Sequence, residues 1–350
     1  MNTSIQPPLG QAITIGVIGV GRMGMKHILA AKQLGMIPVG IADVSPVALD
    51  SACSTHELRR ELGFTDAIEM IRQTKPQALV IATTATTHSE YVLAAVELGV
   101  SHILCEKPMA SSLDQADAML EACERSNVKL AVNHQMRFMP HYNRVKELIS
   151  GNELGKLSSI VVSGSNFGLA MNASHYFELF RYITESSVHS VQAWFDEALV
   201  PNPRGPQFQD RSGRLLARSS IGTVMYIDFA VTSGHGLQVS FICRNGQITV
   251  DELTGDLRVS ARQAEYRELP TTRYGMPAIV RLEAVEPTDT VSPTMRLWSA
   301  MLEGYTFPDG GVGRHALACL VAAHISHEGG GCEVGLDDPS IPLQRVFPWA

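Results

Sequence analysis

Two short stretches hold the residue types that could carry chemistry. In "TIGVIGVGRMG", Thr14 to Gly24, an apolar run leads into Gly19-x-Gly21-x-x-Gly24, with Arg22 and Met23 inside the pattern and an amphipathic helix after it. The first glycine permits a tight turn, the second lets backbone approach a pyrophosphate, and the third lets helix and strand pack closely. The helix start adds unpaired N–H groups and the positive end of its dipole. Asp43 ends the next apolar run, 19 residues past Gly24. A carboxylate there accepts hydrogen bonds from ribose hydroxyls and repels a 2′-phosphate, so NAD is expected as cofactor over NADP. The second stretch, "SHILCEKPMA" from Ser101 to Ala110, breaks off its apolar run at Glu106-Lys107-Pro108. Two readings stand at this point. The charged pair is a solvated strand end closed by proline, or the strand delivers an ammonium into a cleft.

The elements that must position these residues follow from patterning. From Ile13 to about Val132, short apolar runs without period-2 alternation ("ITIGVIG", "ALVIAT", "KLAVNH") alternate with amphipathic helices. Such runs suit strands buried on both faces of a parallel sheet, and the alternation predicts a doubly wound α/β domain over 1–134. After Pro140 the texture changes. "SSIVVSGS", "GTVMYIDFAV", "GLQVSFIC" and "GQITVDE" are β-branched and separated by turn residues, which predicts an α+β domain over 135–350 with an open, mostly antiparallel sheet. "ASHYFELFRYITES" interrupts it as a helix with apolar spacing at Phe177, Phe180 and Ile183. The segment around 201–214 reads as a loop, and "DRSGRLLARSS" as an exposed basic extension of it whose Arg211, Arg214 and Arg218 could clamp an anionic substrate.

Composition sets outer bounds. The 350 residues favour two domains. A net charge of −7 argues against a nucleic-acid partner. The six cysteines include no C-x-x-C pair and suit a reducing compartment. The first ten residues lack the basic and apolar regions of a secretory signal and read as a loose arm. No apolar run reaches membrane-spanning length, so a cytoplasmic protein is expected. No metal site is expected, since His324, His327 and Glu328 lack further ligands with supporting spacing and read as a solvated helix face.

With these motifs in order, the sequence resembles the Gfo/Idh/MocA oxidoreductases, named after glucose–fructose oxidoreductase and inositol dehydrogenase. The glycine fingerprint, "IATTATTHSEYVLAAVELG", "EKP", "NHQMRFMPHYNRVKELI", "GNELGKL" and "GVGRHALACLVAAHIS" all match family landmarks, and the likeness covers nearly the whole chain. The resemblance implies that Lys107 lies between nicotinamide and substrate, and that Glu106 fixes Lys107 or the nicotinamide ribose. It implies a cis bond before Pro108, with Thr83, Thr84 and His88 flanking the cofactor and Asn133, Gln135 and Arg137 lining the domain junction. Gly19, Gly21, Arg22, Met23, Gly24, Asp43 and Gln135 complete the implied cofactor set. It also implies a homodimer or homotetramer formed through the sheet.

One landmark departs from the pattern. The family carries D-x-x-x-H on a helix of its second domain; here "LAMNASHYFELFRYI" keeps His175 but has Met171 where the carboxylate belongs. Methionine cannot orient or charge-pair an imidazole. Asn172 and Glu178 are the nearby candidates to replace it, and Tyr176 and Arg137 join Asn172 as expected substrate contacts. Two outcomes follow. His175 remains general base for oxidation of a secondary hydroxyl on a sugar, cyclitol or polyol, or the pair is dismantled and the protein is a cofactor-binding regulator. A sugar-nucleotide oxidoreductase and an NAD-dependent glycosidase are the other enzymatic readings.

Overall fold

Unalternating apolar runs and amphipathic helices do close into a parallel sheet. The computed structural model describes residues 12–165, 167–202, 204–234, 236–270, 277–285 and 289–349; the N-terminal arm lies outside them. The chain divides into two compact units: Met1–Gln135 with Asp289–Leu317 and Pro342–Ala350, and Met136–Thr288 with Ala318–Ile341.

The first unit runs β1 (Thr14–Ile18), α1 (Arg22–Gln33), β2 (Ile37–Ala42), α2 (Pro46–His56), β3 (Gly63–Phe64), α3 (Ala67–Thr74), β4 (Ala78–Ile81), α4 (Ala85–Glu97), β5 (His102–Cys105), α5 (Leu113–Arg125) and β6 (Lys129–Val132). The strands lie in the order β3-β2-β1-β4-β5-β6, all parallel. Every residue of β4 is buried, which is why its sequence shows no alternation. Ser45, Asp66 and Ser112 accept the N–H groups of Ala48, Glu69 and Gln115 and so start α2, α3 and α5. The order reverses between β1 and β4, the place where open α/β sheets bind ligands.

Residues 289–317 and 342–350, grouped by sequence with the second domain, cluster instead with the first. Backbone pairing accounts for the difference: the Val132 N–H donates to Pro308 O at 2.9 Å and the Phe347 N–H to Ser111 O at 2.9 Å. Trp298 and Trp349 are both fully buried.

The second unit runs α6 (Pro140–Ser150), β7 (Leu157–Ser163), α7 (Leu169–Thr184), β8 (Val188–Val200), β9 (Asp210–Ser219), β10 (Val224–Phe229), β11 (Gln238–Cys243), β12 (Gly246–Asp251), β13 (Leu257–Arg262) and β14 (Ala278–Glu283). The first unit's α8 (Ser292–Glu303) follows, then α9 (Gly310–Glu328) and the short β15 (Val334–Gly335). The sheet order is β14-β13-β12-β11-β7-β10-β9-β8-β15, and only β7 and β10 pair in parallel. Met225, Ile227 and Phe229 of β10 point inward, and Phe177, Phe180 and Ile183 of α7 are buried as their spacing requires.

Two expectations need correction here. The basic "DRSGRLLARSS" segment is not a loop. Asp210–Ser219 is a central strand, with Leu215, Ala217 and Ser219 inward and Arg214 and Arg218 outward. The arginines are engaged along the sheet, Arg214 with Asp228 at 3.3 Å and Arg211 with the Asp196 carbonyl at 3.2 Å. His324 and His327 are not a solvated face either. Their rings lie 4.8 and 4.7 Å from that of Phe195, and His327 Nδ1 accepts the Phe195 N–H.

His141, in the first turn of α6, is buried with neither ring nitrogen hydrogen-bonded to a described residue. Burial pushes its pKa down from 6.5 to about 4. The unfolded chain therefore takes up a proton that the folded one refuses, and stability falls as pH drops from 6.5 through about 4. Urea midpoints at these two pH values should show a loss of up to ~3 kcal/mol from this group, and His141→Leu should flatten that part of the slope.

Candidate active site

At the reversal point between β1 and β4, the glycine fingerprint is set by contact distances. Gly19 has φ +82°, and a Cβ on it would sit 2.7 Å from Ala82 O; one on Gly24 would sit 1.9 Å from Gly19 O. A Cβ on Gly21 would meet nothing within 4 Å, so open space lies beside the start of α1, which has no side-chain cap. Both oxygens of Asp43 are fixed, Oδ2 accepting the Val20 N–H and Oδ1 the Ser45 N–H, each at 2.9 Å. The pocket beside Asp43 is lined also by Gly19, Val44, Thr65, Thr83 and Tyr91. A dinucleotide fits these residues: phosphates at the bare helix start, ribose at the fixed carboxylate. Val44 and Thr65 belong to no motif, and Tyr91, though inside the "IATTATTHSEYVLAAVELG" landmark, carries no type or spacing that marks it as a pocket residue.

The end of β5 is equally determined. Glu106 is buried, and its Oε1 receives His27 Nε2 at 2.8 Å and Asn133 Nδ2 at 2.7 Å. Its Oε2 receives the Lys107 N–H at 3.3 Å. Burial alone would raise this carboxyl's pKa, but His27, Lys107 and Asn133 together hold it well below the usual range. The Lys107–Pro108 bond is cis.

Several expected cofactor contacts are otherwise engaged. His88 is buried between two carbonyls, Pro108 O at 3.0 Å from Nδ1 and Thr83 O at 3.3 Å from Nε2. Burial lowers its pKa, so the neutral ring has one N–H to share between the two carbonyls. His88 thus ties the Thr83 loop to the turn after Lys107. Thr83 accepts the Thr87 hydroxyl at 2.8 Å, and Thr84 precedes α4. Gln135 is buried, its Oε1 accepting the Thr294 hydroxyl at 2.8 Å, and Asn133 serves Glu106.

In the second unit, α7 carries Met171, Asn172 and the half-buried His175. A carboxylate reaches the Met171 position after all, from β9: Asp210 Oδ1 accepts the Ala170 N–H at 2.8 Å and Oδ2 the Met171 N–H at 2.9 Å. It fits only because residue 168 is glycine, since a Cβ there would lie 2.0 Å from Asp210 Oδ2. Asn172 Nδ2 donates to Gly168 O at 3.3 Å.

Three candidates are engaged elsewhere. Glu178 is not turned to His175: it holds Arg137 in a buried ion pair, 2.6 Å from Nη2 and 2.8 Å from Nε. Arg137 is engaged in that pair through Nε and Nη2, with its guanidinium 5.0 Å from the Tyr182 ring centroid. The Tyr176 hydroxyl donates to Glu252 at 3.0 Å and its ring packs edge-on against Phe229, so it too is a core residue. The inner side of α7 demands these partners, because each polar tip is buried.

Among the described residues no helix is long and apolar enough to cross a membrane. A family model described as "Oxidoreductase family, NAD-binding Rossmann fold" matches residues 13–134. The chain is 32% identical over 261 residues to the myo-inositol 2-dehydrogenase of Thermotoga maritima, covering 68% of this chain and 75% of that protein. It is 29% identical over 212 residues to an uncharacterized oxidoreductase of Bacillus subtilis, spanning 57% of this chain and 61% of the relative. The fold matches an Agrobacterium radiobacter oxidoreductase solved with NAD+, L-tartaric acid and magnesium, with TM-score 0.78, 18% identity, and coverage of 93% of this chain and 99% of that one.

Proposed function

The chain belongs to the Gfo/Idh/MocA family of NAD-binding oxidoreductases, and from that premise we propose that it oxidises a secondary hydroxyl of a sugar, cyclitol or related polyol. The observation that carries this reading is the pinned Glu106 beside Lys107, on the sheet whose glycine turn and Asp43 fit a dinucleotide. NAD, when bound, supplies the hydride acceptor. Gly21, Arg22 and Met23 offer backbone to its phosphates, and Asp43 receives the ribose hydroxyls. The Lys107 ammonium holds the charge that develops on the substrate oxygen as hydride departs. His175 takes the hydroxyl proton, and Asn172 hydrogen-bonds the substrate. Asp210, anchoring the start of α7, supports the geometry of both.

The reading extends to the setting. Five of the six free cysteines are buried, which supports a reducing, cytosolic compartment. Trp194 and Tyr226, large residues half-exposed on the open sheet, support assembly into a homodimer or homotetramer. The test of function is direct. The protein is incubated with NAD and a panel of inositols, aldoses and anhydrosugars, and the absorbance of reduced nicotinamide is followed. Formation with at least one polyol is expected; NAD binding with no reduction by any of them would make the protein a regulator.

A further inference from the structure

We infer that His27, a residue outside every motif named above, is a positioning residue for Lys107, acting by holding the Glu106 carboxylate against it. The inference rests on the reading of Lys107 as the charge-stabilising group. His27 is the sixth residue of α1 and is 1% exposed. A carboxylate only accepts, so the Nε2 that lies 2.8 Å from Glu106 Oε1 carries a hydrogen. Nδ1 has no hydrogen-bond partner among the described residues. A buried imidazole with one nitrogen left over costs the helix more than an apolar residue would. Its polar contact with Glu106 is therefore what the position provides.

That contact decides how Glu106 meets Lys107. His27 and Asn133 together occupy Oε1, which leaves Oε2 for the backbone N–H of Lys107, and the fixed carboxylate and the Lys107 charge act on one another. Cys105 and His88, two described groups that feel the Glu106 charge, are both kept neutral by burial and supply no replacement charge. The same helix begins at the Gly21 turn, where the dinucleotide phosphates fit. One rigid rod thus holds the cofactor at its head and Glu106 on its flank, and Lys107 is registered to both.

The test needs no substrate. Lysines of the full chain are reductively methylated with 13C-formaldehyde, the Lys107 signal is assigned by its loss in Lys107→Ala, and its titration is followed by NMR. Glu106→Gln removes the neighbouring charge and should lower the Lys107 midpoint by about one pH unit. His27→Leu should shift it in the same direction but by less, since Asn133 still donates to Oε1, and adding His27→Leu to Glu106→Gln should do nothing more. His27→Gln, which keeps a donor, should stay close to wild type. His27→Phe fills the ring's volume without a donor and serves where His27→Leu does not fold. A wild-type midpoint in either apolar variant, with Glu106→Gln shifted, overturns the proposal. Failure of the catalytic reading would show separately, as unchanged turnover in Lys107→Ala.

Discussion

Lys107→Ala is expected to lower kcat by about 10²- to 10³-fold, the range for removing one preorganised charge stabiliser. The dissociation constant for NADH, read from nicotinamide fluorescence, should stay close to wild type. The split follows from the proposed roles: Lys107 would act on charge that exists only while hydride leaves, whereas the phosphates and ribose would rest on the uncapped α1 start and Asp43. Lys107→Arg should recover little, since the planar fork is bulkier and differently aimed than an ammonium. Turnover that barely changes in Lys107→Ala would remove this residue from the chemistry.

The buried pair of Arg137 and Glu178 gives the largest expected effect on stability. Both side chains are almost inaccessible, so loss of either partner strands a charge, at a cost of ~3–5 kcal/mol. The two halves should differ in pH dependence. Burial pushes the Glu178 pKa up to about 7 even with Arg137 and Arg181 pulling it down. In Arg137→Leu the stranded carboxyl can take a proton. Its folded pKa then lies further above the unfolded value, so this variant's stability is highest in acid and falls as pH rises through the wild-type value of about 7 toward its own folded pKa. In Glu178→Leu the stranded guanidinium cannot lose its proton, so this variant's stability carries no such slope through the same range. The double variant should recover most of the loss, because a buried pair replaced by apolar residues is often near neutral. Urea midpoints between pH 5 and pH 8 decide it; parallel pH profiles for the two single variants would refute the account.

What sequence could reveal divides along the range of the interactions. The parallel sheet was legible because burial on both faces writes itself locally, as in Ala78–Ile81. The glycine turn, Asp43 and the end of β5 were legible because their chemistry needs particular types at fixed spacing. β8 and β9 were not. Ser190, Ser212 and Ser219 occupy buried positions, Arg214 and Arg218 stand outside, and the period-2 signal is lost. The polar partners of the site were hidden by separation. His27 and Glu106 are 79 residues apart, Asp210 and Ala170 are 40 apart, and Arg137 and Glu178 are 41 apart. No helical or strand periodicity links such positions, so sequence offers Glu178 as a candidate partner for its neighbour His175 and gives no sign of its spatial neighbour Arg137.

The three-part composition of the first unit bears on how the chain is made. Its sheet lies wholly within residues 1–135, yet Trp298 and Trp349, both sealed from solvent, arrive from segments that follow strands of the second unit. During synthesis the nascent sheet must wait, with apolar surface uncovered, while more than half of the polypeptide emerges. The first unit therefore closes over Trp298 only after residues 136–288, which belong to the second unit, have been made.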